Sequence, residues 1–149
     1  MSDKSKGNLL VLVQFALIAF VVLWPSGQIN IAAIYIGGIL LVAPGIIVLY
    51  LGIKNLGRSL AANPVPKSDA ELVETGIYKY LRHPIYTGLM LASLGSAVQT
   101  LDLAKLVVWC ALVLLLNYKA RWEETLLVKK YSGYANYMKR TGRFVPRLK

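Results

Sequence analysis

Apolar residues come in blocks along this chain instead of alternating with polar ones. Four blocks stand out: Leu9 to Trp24, in which only Gln14 is polar; Ile29 to Ile53, broken by Gly37-Gly38 and Pro44-Gly45; about Ile85 to Val98; and about Leu103 to Tyr118. A helix that crosses a bilayer needs about 20 apolar residues. The second block meets this alone, and the others recruit flanking residues or lie in a thinner bilayer. The pattern predicts an all-α polytopic membrane protein with about four transmembrane helices. Pro44 removes a backbone donor and predicts a kink. Gly37, Gly38 and Gly45 predict close approach of another helix.

The connections differ sharply in charge. Pro25-Ser26-Gly27-Gln28 and Gln99-Thr100-Leu101-Asp102 carry no Lys or Arg, whereas residues 54–83 hold Lys54, Arg58, Lys67, Lys79 and Arg82. Lys4 and Lys6 precede the first block, and nine Lys or Arg follow Tyr118. The positive-inside rule then places both termini and residues 54–83 in the cytoplasm, which an even number of spans allows. Pro25, Ser26 and Gly27 do not form a small-x-small cleavage site, so the first block reads as a retained helix. Residues 54–83 are too long for a plain helix connection, and such segments carry function or are disordered. The last helix should continue past Tyr118 and end near Tyr131-Ser132-Gly133. Beyond it the chain is basic and aromatic, and Pro146 stops any late helix. The whole of residues 1–149 reads as one domain: two N-terminal helices over 1–53, then a functional region over 54–149.

Composition narrows the classes. Of the 149 residues 56% are hydrophobic and 16% charged, against about 25% charged in soluble domains. The net charge of +10 sits between and after the apolar blocks, which suits membrane orientation and anionic lipid headgroups rather than nucleic acid. The single cysteine, Cys110, reads as packing. One histidine and no cluster of ligands argue against a metal site. No phosphate-binding glycine loop and no nucleophile elbow occur.

Two clusters carry candidate chemistry. The first runs Gly76-Ile77-Tyr78-Lys79-Tyr80-Leu81-Arg82-His83-Pro84-Ile85-Tyr86-Thr87-Gly88. Pro84 sets the start of a helix, whose N-terminus with Arg82 suits an anionic group. Tyr78, Tyr80 and Tyr86 offer faces for an aromatic base or a cation. The same residues also serve as interfacial anchors at the start of a span. The second cluster is Arg121-Trp122-Glu123-Glu124, in which Arg121 and Glu124 share a helix face and Lys119 is spaced to pair with Glu123. The alternative is a solvated, salt-bridged face of little energetic worth.

At these clusters the chain resembles the isoprenylcysteine carboxyl methyltransferases and the related phospholipid N-methyltransferases. The resemblance rests on Gly76-Ile77-Tyr78, Arg82-His83-Pro84-Ile85-Tyr86-Thr87-Gly88 and Arg121-Trp122-Glu123-Glu124, then on Tyr134, Tyr137 and Thr141-Gly142-Arg143-Phe144-Val145-Pro146. It covers roughly residues 70–147. It implies an enzyme that binds S-adenosylmethionine in a cytoplasmic pocket, formed by the 54–88 connection and the C-terminal region. A lipophilic acceptor would enter that pocket from the bilayer. By this resemblance Tyr78, Arg82, His83, Pro84, Tyr86, Gly88, Glu123, Glu124 and Arg143 become cofactor-binding candidates. Arg121 and Glu124 become catalytic candidates, and Pro146 helps cover the cofactor.

The acceptor stays open between a carboxylate, already a nucleophile that Arg121 can hold, and an amine, which needs Glu124 or His83 as base. Two other readings stand beside this one: a nicotinamide-dependent membrane reductase, against which the short chain weighs, and a non-catalytic scaffold of the same fold. The compact chain points to a prokaryotic inner membrane. The sequence carries no signal for an oligomeric state.

Overall fold

The computed structural model describes residues 2–25 and 31–147. It is helical throughout: α1 (Asp3–Leu23), α2 (Ala32–Leu56), α3 (Pro84–Thr100), α4 (Leu103–Lys130) and the short α5 (Tyr134–Arg140). Single 3-10 turns occupy Gly57–Ser59 and Gly76–Lys79. Among the described residues there is no strand, only one isolated parallel bridge between Leu81 and Gly142. An all-α polytopic membrane protein therefore matches the sequence pattern. The Ser26-Gly27-Gln28 turn and the start of the second block lie outside the described residues.

Local chemistry accounts for the helix ends. Ser2 accepts from Ser5 N at the start of α1, and Asp102 Oδ1 accepts from Lys105 N at the start of α4. Each satisfies a donor with no partner inside the helix. Pro84 is the first residue of α3, as its fixed φ and missing N–H favour. Only Leu101 and Asp102 separate α3 from α4, because α3 runs on through Thr100 and ends on Leu101 in the left-handed region, at φ 45°. The expected four-residue connection is thus half as long. Helix α4 ends at Lys130, beside the expected Tyr131 stop. The seven residues of α5 form a late helix in the basic, aromatic tail. Pro146 does lie beyond the last helix.

Helices α1, α2 and α4 are long and apolar enough to cross a membrane. Helix α3 has 17 residues, about 25 Å of helix against a hydrocarbon core of about 30 Å. The three long helices turn large apolar residues outward: Leu12 is 67% exposed, Leu40 68% and Leu114 70%. A water-soluble protein would bury such a surface. The residues that α2 buries are instead its glycines, Gly38, Gly45 and Gly52.

Those glycines, seven apart, form the seam with α3. A Cβ on Gly45 would lie 2.5 Å from Ala92 N, and one on Gly88 would lie 2.6 Å from Gly45 O. Lipid tails are as apolar as leucine, so helices in a bilayer gain most by bringing backbones together across small residues. The seven-residue period keeps the seam facing α3 along its length. Gly38 and Gly45 therefore fulfil the expected close approach, whereas Gly37 faces open space. Helix α2 continues through Pro44. Helix α1 packs on α4, and α3 supplies Tyr86 to the buried cluster that α4 builds with Leu112, Leu116 and Ala120.

The long connection is ordered by side chains. Asn63 donates to Lys4 O at 3.1 Å and to Asn8 Oδ1 at 2.8 Å, and accepts from Val65 N. Lys130 Nζ donates to Lys67 O, and the Tyr131 hydroxyl to Ala70 O. The connection is thereby tied to the start of α1 and to the end of α4.

Candidate functional site

Three pieces of chain converge where α3 begins: the 3-10 turn at Gly76–Lys79, the C-terminal third of α4, and the segment after α5. Gly76 has φ +59°, and a Cβ there would collide with Asn55 Oδ1, which accepts from Ile77 N at 2.9 Å. The Gly76-Ile77 pair is thus the part that a carboxamide at the end of α2 can cap. Tyr78 follows, buried, with its hydroxyl donating to Gly52 O at 3.2 Å and its carbonyl accepting from Tyr137 at 2.6 Å.

The C-terminal segment then runs alongside residues 81–87. Arg82 N donates to Gly142 O at 2.8 Å and His83 N to Arg143 O at 3.1 Å. Thr87 Oγ1 donates to Phe144 O at 2.9 Å. The backbone N–H groups of Arg82 and His83 are thus taken by this strap.

Glu124 is the centre of a buried charge cluster. Its Oε1 accepts from Arg82 Nε at 2.8 Å, and its Oε2 from Arg143 Nη2 at 2.6 Å and Nε at 3.1 Å. Arg82 Nη1 also donates to Met138 O at 3.0 Å and to Thr141 O. His83 Nε2 is 3.3 Å from Glu124 Oε1 and is buried without a hydrogen-bond partner among the described residues. Glu123 faces a different way: its Oε2 accepts from the Tyr86 hydroxyl at 2.8 Å and lies 3.7 Å from His83 Nδ1. The His83 and Tyr86 rings stack at 5.2 Å and 6°.

Beside this cluster is a cavity of about 570 Å³, within the range of small-molecule sites. Its polar wall includes Arg82, His83, Tyr86 and Glu123. Its apolar wall includes Phe15, Leu49, Ile53 and Leu89, and residues of the 59–73 connection cover it. Tyr78, Tyr134 and Tyr137 also line it. Burial pushes their hydroxyl pKa values up, with the charge of Glu123 adding at Tyr78, Glu124 at Tyr134 and Glu74 at Tyr137. These hydroxyls stay protonated, and those of Tyr78 and Tyr137 act as hydrogen-bond donors.

The candidate residues separate into three groups. Tyr78, Arg82, His83, Tyr86 and Glu123 line the cavity. Glu124 and Arg143 stand behind them in the ion cluster, outside the lining. Pro84 and Gly88 belong to the seam with α2, against Gly52 and Gly45 respectively. Arg121 is exposed and apart from the cavity. Three residues along a helix leave about 60° between side chains, enough to turn Arg121 outward while Glu124 points in. Pro146 is exposed. Lys119 does not ion-pair with Glu123; its Nζ donates to Gln14 Oε1 of α1 at 2.7 Å. Sequence reasoning missed that pair, although a lone glutamine in an apolar block was a signal for it.

The family model for phospholipid methyltransferase matches residues 33–133. The chain belongs to the phospholipid methyltransferase family. That match takes in the α2–α3 seam, His83, Tyr86, Glu123 and Glu124, and stops before α5 and the strap. Among individual proteins, the chain is 39% identical over 103 residues to the cobalt-zinc-cadmium resistance protein CzcN of Cupriavidus metallidurans, covering 67% of this chain and 47% of that protein. It is 35% identical over 86 residues to the nickel-cobalt-cadmium resistance protein NccN of Alcaligenes xylosoxydans xylosoxydans, covering 55% and 39% respectively. The chain thus spans less than half the length of these curated relatives. Among the described residues of this family member, no three His, Cys, Asp or Glu side chains converge as a metal site would need.

Proposed function

We propose that this chain transfers the methyl group of S-adenosylmethionine to a lipophilic acceptor at the cytoplasmic face of the membrane. The observation that carries the reading is the meeting of the two motif clusters across one cavity, through Tyr86 to Glu123 at 2.8 Å and Arg82 to Glu124 at 2.8 Å. Membership of the methyltransferase family supports it. The donor set suits the cofactor. Glu123, with a side chain 26% exposed, is a carboxylate partner for its ammonium or sulfonium, and the stacked His83–Tyr86 rings offer a flat wall. His83 Nε2 is a buried polar atom short of a partner. Bound there, S-adenosylmethionine supplies an activated methyl group whose departure discharges a sulfonium.

The chain's own contribution is then alignment and exclusion of water. Arg82 and His83 are held in place by Glu124 and the strap. Glu124, wrapped by two guanidiniums and outside the cavity lining, is a positioning residue and not the base. An amine acceptor would lose its proton to Glu123 or His83, while a carboxylate acceptor needs no base. Helix α4 is about 42 Å long, so its last turns, with Glu123, project past a core of about 30 Å. The Lys/Arg distribution supports four spans, α3 included, with both termini in the cytoplasm of a prokaryote and basic residues against anionic lipid. The test supplies methyl-labelled S-adenosylmethionine to the purified protein with a membrane lipid extract. Label should enter the lipid fraction, alkali-labile from a carboxylate acceptor and alkali-stable from an amine. Label that stays in the aqueous phase with every lipid extract would overturn the reading.

A further inference from the structure

A buried cation lies in the wall of the cavity without an ion-pair contact. Lys119 is 1% exposed, and the hydrogen bond to Gln14 uses one of its three protons. Its Nζ also sits 5.2 Å over the Tyr86 ring, a weaker form of charge compensation. Among the described residues, Glu124 makes its ion pairs with Arg82 and Arg143, and the Glu123 carboxylate acts on Lys119 only through space, without ion-pair contact. An ammonium can only donate, so the Gln14 amide turns its oxygen to Lys119 and leaves its NH2 group without a partner. Gln14 and Lys119 both line the cavity, beside Phe15, Leu49 and Leu89. A buried cation with no counter-ion in contact is costly, and here its remaining protons adjoin an apolar space.

We infer that Lys119 and Gln14 form a seat for the anionic head of an amphiphile whose chain lies along the apolar wall. This rests on reading the cavity as the site of a lipophilic ligand, and it gives that ligand a charge. An anion in contact with the ammonium supplies a direct counter-charge, and the Gln14 NH2 adds a second donor from α1. The polar wall at Arg82, His83 and Glu123 is built separately, on α3, α4 and the strap. A carboxylate reaching Lys119 has two sources, the amphiphile or the cofactor's own amino-acid end, and the test distinguishes them.

The test uses the full chain in phosphatidylcholine nanodiscs, with saturable photolabelling by a diazirine-bearing hexadecanoic acid and by the matched alcohol. Wild type should take the acid at least about ten-fold more tightly than the alcohol. Lys119→Met should erase that preference, and Lys119→Arg should keep it. Gln14→Glu, which places a carboxylate beside Lys119 from within, should erase it as well and serves if Lys119→Met does not fold. S-adenosylmethionine binding, measured in the same variants, should fall far less than it does in Glu123→Gln. Persistence of the acid preference in folded Lys119→Met or Gln14→Glu would overturn the seat. Loss of S-adenosylmethionine affinity with the acid preference intact would give the anion to the cofactor and overturn the amphiphile assignment. An acid preference that depends on Lys119 in a wild-type protein that binds no S-adenosylmethionine would support the seat and defeat the methyltransferase reading alone.

Discussion

Glu124→Gln separates a positioning role from a catalytic one. The substitution keeps the shape of the side chain and one acceptor, and removes the charge that two guanidiniums share. Arg82, with a side chain 9% exposed, cannot turn to water; Arg143, at 28%, partly can. Removing one partner of a buried ion pair costs about 3–5 kcal/mol. Because the carboxamide oxygen still accepts from Arg82 and Arg143 is partly hydrated, we expect about 3 kcal/mol for Glu124→Gln and the upper end for Glu124→Ala. On the scale of soluble domains of this size that lowers Tm by about 6–12 °C. Thermal unfolding in detergent, followed by tryptophan fluorescence, reads the loss. The double variant Glu124→Gln/Arg82→Gln should be more stable than the sum of the singles predicts, since it leaves no buried unpaired cation. Below its unfolding range, folded Glu124→Gln should bind S-adenosylmethionine better than Glu123→Gln, whose lost carboxylate lines the cavity. An unchanged Tm together with abolished binding would mean that Glu124 touches the ligand, and the positioning argument would be wrong.

His83→Ala should weaken S-adenosylmethionine binding about 10- to 100-fold, the usual cost of one good polar contact to a charged ligand; calorimetric titration of the folded variant checks it, and an unchanged affinity returns His83 to an interfacial anchor. Arg121→Ala should leave that affinity and turnover near normal, because the side chain is exposed; a large loss in either would restore Arg121 as a catalytic group. Gly45→Leu should abolish a monodisperse folded species in size-exclusion chromatography while Gly37→Leu is tolerated, since only the first meets backbone across the seam. Reporter fusions at residues 28 and 101 should report outside and fusions at 65 and 149 inside; an outside signal at 65 would defeat the cytoplasmic site.

Features set by near neighbours were legible before the fold was seen. Pro84 announced the start of α3, the turn-forming Tyr131-Ser132-Gly133 the end of α4, and Gly38 and Gly45 a close helix pair. What required pairing over long separations was not. Arg82 looked free to hold a ligand anion, but Glu124, 42 residues on, supplies that anion from within. Gly88 read as part of a cofactor motif, yet its missing side chain serves Gly45. The strap at residues 141–144 has no periodicity to betray it, because it bonds through backbone atoms to Arg82 and His83. Gln14 and Lys119 are 105 positions apart; each is visible as a polar residue in an apolar setting, and only the α1–α4 contact makes them a pair.

The central claim is that the cavity beside Glu123 holds S-adenosylmethionine, and equilibrium binding of the labelled cofactor to the purified, folded chain tests it most directly. The account predicts saturable binding at one site per chain, displaced by S-adenosylhomocysteine and weakened by both Glu123→Gln and His83→Ala. Folded protein that shows no saturable binding, or binding untouched by both substitutions, would contradict it.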